Sequence, residues 1–370
     1  MDSPKDISHY LCGYDELAIR MASIDPVQYK NTRNYLDGAV TWLSPFITHG
    51  IIGPSDIAYA VLQKHSTADC HNLFYELAWR EYFHRVWEAN GERIFSDMRK
   101  PCPASRYELP HAIVEANTGV HVIDHAISKL ITHGFMHNHA RMWVAGLCCN
   151  SGDTHWAPAA RWMHYHLLDG DLASNTLSWQ WIAGTFSNKR YVANQENVNK
   201  YSKTDQKGTC IDITYEQLAE FRILSELQDT AVPVMPQALP GEPVSNRLPF
   251  SGTVALRSIW QLNAQWRSDA DHQLLFIDSD LHSKWPMSTK RWQFILHWAS
   301  LIPGLQVVQG TIKELNQALE NATVFRQSYT ACRHWSAATD HRVWLYPEPD
   351  KPYNSFSQFW KQVKGHHGEK

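Results

Sequence analysis

The stretch LLDGDLASNTLSWQW, residues 167–181, sets two acids, an amide and two large aromatics within a few positions of one another. Asp169 and Asp171 flank Gly170, Asn175 stands four residues after the second acid, and Trp179 and Trp181 are one residue apart. A core segment would avoid the carboxylates, and a surface loop would avoid the tryptophans. Together they suit the wall of a pocket that holds something flat and polar. Three earlier segments share the mixture. In NLFYELAWREYFHRVW, Glu76, Trp79, Arg80 and Phe83 fall on one helix face. That face is either a solvated one with an internal Glu76–Arg80 ion pair, or one that reads a base while Trp79 stacks on it. In GFMHNHARMWVAG, Asn138, Arg141 and Met142 share a face, and the plain alternative is an Asn–Arg pair that satisfies nearby backbone. In YLDGAVTWLSPFITHG, Thr41, Ser44 and exposed backbone N–H groups could bind phosphate, with Pro45 opening a helix.

The elements that must position these residues are helical. Residues 1–225 read as a helical domain. GPSDIAYAVLQKH predicts a helix with Ser55 as N-cap, and HVIDHAISKLITHG carries an apolar stripe of Ile123, Ala126, Ile127, Leu130 and Ile131 that stops at Gly134. Residues 226–252 hold a Pro-rich linker. Residues 253–365 alternate QLLFID, STKRWQFILHWASLI, LQVVQG, IKELNQAL and ATVF, the pattern of a small parallel α/β unit, with HRVWLYP as a further candidate strand. The tail GHHGEK is expected to be disordered.

Gross composition narrows the partners. With 370 residues and a formal net charge of -3, the chain can build a large core but has no overall basic signature. A nucleic acid would have to be met by a local patch. Lys189, Arg190 and Lys200 are candidates for phosphate contact, with ordinary solvated charges as the alternative. The polar opening MDSPKDISHYLCGYDEL is unlike a signal peptide, and no apolar run could span a bilayer. The seven cysteines are scattered and none forms CxxC, so neither a disulfide framework nor a thiolate metal site is indicated. A reduced, cytoplasmic monomer is the expectation. The 16 tryptophans raise the question of stacking or electron transfer.

The segments GAVTWLSP, ELAWREYF, MHNHARM and LLDGDLASNTLSWQW, in that order and spacing, resemble the FAD-binding helical domain of the photolyase/cryptochrome family. The resemblance runs from about Tyr29 to Tyr201. It implies a mainly α fold, an all-helical FAD-binding domain followed by the small α/β unit. It also implies a site. Thr41, Leu43 and Ser44, with Tyr29, would cradle the pyrophosphate of FAD, although Val40 replaces a hydroxyl residue of the family pattern. Asn138 and Arg141 would lie beside the flavin, Asp169 would pair with Arg141, Asp171 would face the pyrimidine edge, and Asn175 would sit next to N5. Trp179 and Trp156 would carry electrons, with Trp162, Trp143 or Tyr107 as outermost member. Glu76, Trp79, Arg80, Met142 and Trp181 would line a cavity for a flipped-out pyrimidine dimer.

The implied activity is light-driven repair of cyclobutane pyrimidine dimers in DNA by electron transfer from excited reduced FAD, a lyase reaction. Neither Asn138 nor Met142 is a histidine, which disfavours the (6-4) photoproduct. The cysteines leave no place for an iron–sulfur cluster. Only 28 residues precede Tyr29, so the family's N-terminal antenna domain is expected to be absent; the C-terminal α/β unit resembles part of it, and an antenna chromophore is not expected. A single-stranded substrate is preferred on this reading, because low charge and a short scaffold suit a lesion that is cheap to flip. The alternatives are a blue-light photoreceptor of cryptochrome type and a non-catalytic flavin-containing nucleic-acid-binding protein.

Overall fold

The computed structural model describes residues 6–220, 223–246 and 249–365. The last five residues of the expected tail lie outside these. The chain falls into two compact units: one comprises Met1–Asp6, Asp25–Thr41 and Tyr82–Met235, the other Ile7–Ile24, Trp42–Glu81 and Pro236–Lys370. This division departs from the expected succession 1–225, 226–252 and 253–365. The helical N-terminal region is shared out, and the helix Thr67–Asn90 contains a boundary.

The first unit is helical. Its core joins the stripe of the helix His121–His133 (Ile123, Ala126, Ile127, Leu130) to Trp143, Trp156, Trp162 and Trp179 of later helices. Gly134 ends the first of these at φ +74, where a Cβ would stand 2.8 Å from Leu168 Cγ, so the expected stop is steric as well as conformational. Two short strands, β1 (Leu109–Pro110) and β2 (Thr230–Ala231), pair antiparallel. The Pro-rich stretch is therefore tied down at one end and is not simply a linker.

The second unit holds a six-stranded sheet, with β3 (Glu242–Pro243), β4 (Ser251–Arg257), β5 (His272–Asp278), β6 (Leu305–Gly310), β7 (Asn321–Gln327) and β8 (Ala338–Asp340) in the order β3-β6-β5-β4-β7-β8. All its pairings are parallel. Successive strands run first to one side of β4 and then to the other, which is the doubly wound pattern. The helix Thr289–Ser300 lies between β5 and β6 in sequence, with Ser288 as N-cap, and Ile312–Ala318 follows β6 behind a Thr311–Glu314 capping box. This fold class is the expected one, a helical unit and a parallel α/β unit.

Helices from the N-terminal half belong to the second unit for a packing reason. Phe46 lies 5.7 Å from Phe294 and 5.4 Å from Trp298, and Trp298 Nε1 donates to Tyr10 O at 3.0 Å. Much of the tryptophan wealth is thus core material. Two local expectations are corrected. The helix Pro54–Leu62 has Gly53, not Ser55, at its N-cap, and Asp56 Oδ2 accepts the Gly53 N–H at 2.7 Å. HRVWLYP contains no strand; the Leu345 N–H donates to Glu81 Oε2 at 2.8 Å, so a carboxylate takes a bond that a ladder would have used. Among the described residues no helix is long and apolar enough to cross a membrane.

Candidate functional site

The strongest constellation lies in the first unit, on three short helices. Asn138–Gly146 starts after His137, whose Nδ1 accepts the His139 N–H at 3.1 Å. This cap leaves Asn138 exposed on the first helical position and Arg141 one turn on. Arg141 Nη2 donates to both oxygens of Asp169, at 3.0 and 2.9 Å, while its Nε donates to Met136 O at 2.8 Å. The expected Arg141–Asp169 pair is therefore present. Its acid is only 5% exposed, so the guanidinium compensates a charge that burial alone would disfavour. Burial pushes the imidazoles of His137 and His139 down to about 4, reinforced by the neighbouring cations Arg141 and Arg33 respectively, which keeps both rings neutral near pH 7.

Asp171 is the N-cap of the helix Leu172–Ala183, and its Oδ1 accepts the Ser174 N–H at 2.7 Å. Its Oδ2 lies 2.8 Å from His84 Nε2, with both side chains essentially buried. His84 was not among the sequence candidates. Nothing in the local pattern of its helix singles it out, and 87 residues separate it from its partner. One turn after Asp171, Asn175 donates from Nδ2 to Ala160 O at 2.8 Å, which ties its helix to Trp156–His166 and fixes which way the amide points. Trp179, a further turn on, is buried.

Trp156 is also buried, and its Nε1 donates to Asp97 Oδ1 at 2.7 Å. Of the three candidates for an outer aromatic, Trp143 and Trp162 are buried, whereas Tyr107 is 68% exposed. The Tyr107 ring stacks on His155 with centroids 4.8 Å apart, and His155 lies 5.6 Å from Trp156. Trp181 is 40% exposed and Met142 half-buried, as a wall residue should be.

The remaining candidates are placed as follows. Tyr29 and Thr41 belong to the first unit, and Tyr29 has the Arg33 guanidinium 5.9 Å from its ring. Leu43 and Ser44 belong to the second, as N-cap and first residue of the short helix Ser44–Thr48. Between Thr41 and Leu43, buried Trp42 takes the left-handed conformation at φ 57, a strain that non-glycine residues adopt where the surroundings impose it. Glu76, Trp79 and Arg80 lie in the second unit, all half-buried rather than solvated. Arg80 Nη2 donates to Thr48 Oγ1 at 3.2 Å. Trp79 stacks face to face on Phe356, with centroids 3.7 Å apart and planes 11° from parallel. The face expected to take a base is covered by the chain's own phenylalanine.

The donor set suits the polar edge of a flavin. It comprises amides at Asn138 and Asn175 and a guanidinium neutralised by a buried acid. Two buried atoms in the same segments, Ser174 Oγ and His137 Nε2, have no hydrogen-bond partner. Among the described residues no cluster of His, Cys, Asp or Glu could hold a metal ion.

The comparison with known proteins points the same way for part of the chain: residues 73–230 match the FAD-binding domain of DNA photolyase. Three of the four segments that carried the resemblance fall inside the match; GAVTWLSP precedes it. A deoxyribodipyrimidine photo-lyase of Streptomyces griseus is 29% identical over 195 residues, 52% of this chain and 43% of that one. A cryptochrome DASH of Danio rerio is 32% identical over 174 residues, 44% of this chain and 33% of that one. Among solved structures, a Synechocystis cryptochrome covers 54% of this chain and 44% of its own at 24% identity, with a TM-score of 0.46. The chain spans less than half the length of these curated relatives.

Proposed function

We propose that the protein repairs cyclobutane pyrimidine dimers in DNA, with a preference for single strands, and that it uses light to do so. The observation that carries this reading is the Arg141–Asp169 pair in register with Asp171 and Asn175. A bound FAD would supply light-driven electron-transfer chemistry to this site. The chain's own residues hold, orient and exclude water. Arg141 offers a positive charge whose compensation by Asp169 keeps it tolerable in a buried setting. Asn175, with Nδ2 fixed on Ala160 O, presents a neutral amide that is no acid and so favours no protonation of its neighbour. Asp171 and His84 brace the start of that helix. Thr41, Leu43, Ser44 and Tyr29 would hold the phosphates, Glu76, Trp79, Arg80, Met142 and Trp181 the dimer, and Trp179 and Trp156 would pass electrons inward. FAD is the sole prosthetic group on this reading, without antenna chromophore or iron–sulfur cluster, in a cytoplasmic monomer.

A second reading is favoured by one contact. With Phe356 on Trp79, the base-stacking face is already filled, which suits a light sensor of cryptochrome type whose output is a protein partner. The experiment is a repair assay. Photoreduced protein is mixed with a single-stranded oligonucleotide carrying one thymine cyclobutane dimer, and dimer loss is followed under blue light and in darkness. Light-dependent reversal is expected, faster than on the matching duplex. Bound flavin without reversal would move the assignment to the sensor.

A further inference from the structure

An indole that gives up an electron becomes a strong acid at its ring nitrogen, so the group facing that nitrogen decides how long the oxidised state lasts. Trp156, the first residue of the helix Trp156–His166, faces a carboxylate. The ring is buried, and its Nε1 donates to Asp97 Oδ1 at 2.7 Å. Trp143 offers the contrast within the same unit. Its Nε1 donates to Asn197 Oδ1 at 3.1 Å, an amide that is no base near neutral pH.

The surroundings of Asp97 hold it in place for this contact. It stands two residues after the short helix Gly91–Phe95, and its Oδ2 accepts the Cys102 N–H at 2.7 Å. One oxygen is thus pinned by backbone while the other meets the indole. His155 stands on the same side as the indole. Its Nδ1 accepts the Ala157 N–H at 3.2 Å, which puts the proton of the neutral ring on Nε2, the atom 3.6 Å from Asp97 Oδ1. Burial holds the His155 imidazole below its usual pKa, against the opposing pull of Asp97, so the ring is neutral near pH 7. The Asp97 side chain is 25% exposed, so a proton that reaches it can pass on to water.

We propose that Asp97 is the proton acceptor for oxidised Trp156. One electron passes from the indole to an oxidant, by class a light-excited oxidised flavin. The Nε1–H bond then breaks, its electron pair stays on nitrogen, and the proton joins Asp97 Oδ1. A neutral indolyl radical and a neutral carboxylic acid remain. The electron can then return to the indole only if the proton returns with it, so the separated charge outlasts a bare radical cation. The proposal deepens the repair reading and rests on it for the passage of electrons through Trp156; Asp97 is a positioning residue, since it acts through that indole.

The test is transient absorption of the full chain with its flavin after a blue flash. A Y107F background removes the outer phenol and leaves the oxidised site on Trp156. Y107F is expected to show the neutral indolyl radical, and Y107F/W156F to lose it. Y107F/D97N, which keeps the shape and an acceptor oxygen but no base, should show the protonated radical cation instead. Its lifetime should be about a hundredfold shorter, the low end of what a positioned proton acceptor contributes. Y107F/D97E should regain the neutral form. A structural role for Asp97 would change how much radical forms, not its protonation state. The proposal is overturned if Y107F and Y107F/D97N give the same form of the radical, if the signal survives W156F, or if no indolyl radical forms. Protein reduced by dithionite needs no oxidised tryptophan, so its repair of a dimer under light is scored apart: failure there sinks the repair reading and leaves the role of Asp97 standing.

Discussion

At the scale of single residues, the site rests on Arg141 and Asp169. Replacing Asp169 by Asn keeps the shape and removes the charge, which leaves the guanidinium uncompensated. Arg141 retains some solvent contact, so the cost should sit at or below the usual range for breaking a buried pair, roughly 2–4 kcal/mol. We expect D169N to lower the unfolding free energy measured by urea titration by that amount and to reduce the flavin that co-purifies several-fold; unchanged stability and flavin content would show the pair to be incidental. Tyr107 makes the second prediction. It is the exposed end of a stack that runs through His155 to Trp156. Y107F should slow light-driven reduction of bound flavin about tenfold, as an order-of-magnitude expectation for losing a positioned donor, while protein reduced by dithionite repairs as before. If W143F or W162F slows it instead, electrons leave by another face. The pairing of Arg141 with Asp169 was legible in the motif, because both residues lie in segments whose types and order are distinctive. The bond from Asp171 to His84 was not, since only the fold brings them together.

At the scale of elements, periodicity served well where an element carries its own signals. LQVVQG is β6 residue for residue, and IKELNQAL gives a helix led by a capping box. It failed where tertiary partners decide. Strand β4 has two exposed residues, a half-buried Thr253 and four consecutive buried ones that end in Arg257, so it shows no alternation to read. The C-terminal helix Phe356–Val363 is the consequential miss. Phe356 covers Trp79, and Trp360 lies 5.3 Å from Tyr75 and 5.5 Å from His71, so one helix end shields a row of aromatics. A base can stack on that face of Trp79 only after Phe356 moves. F356A is therefore expected to bind a dimer-bearing strand several-fold more tightly and to shift tryptophan emission to the red. Its cost is about 3 kcal/mol of stability for the lost ring. Weaker binding at equal folding would mean that Phe356 shapes the cavity instead of closing it.

At the scale of the whole molecule, the chain's two units are not consecutive in sequence, and this is why the boundaries were illegible. Composition shifts near residue 226, but Phe46 packs with Phe294 and Trp298 across some 250 positions, a relation that no local window contains. The same long-range burial makes stability depend on pH. His282 is fully buried in the second unit and its imidazole is pushed down to about 4, first by desolvation and then by the Arg291 charge, against the opposing pull of Asp278. His137 behaves alike in the first unit. In both, the unfolded chain binds a proton near pH 6.5 that the folded chain refuses until about pH 4. Between those values the unfolded state holds more protons, so stability rises with pH and is lost on acidification. Each buried ring contributes a slope of at most about 1.4 kcal/mol per pH unit in that window, and none above it. Urea midpoints should hold steady from pH 8 to 7 and then drop steeply towards pH 5. H282Q, which keeps a polar side chain but cannot take the proton, should remove one proton's worth of that slope while changing little at pH 8. A midpoint that stays flat through pH 5 would mean that His282 finds a proton-sharing partner on acidification, with Asp278 the group placed to provide it.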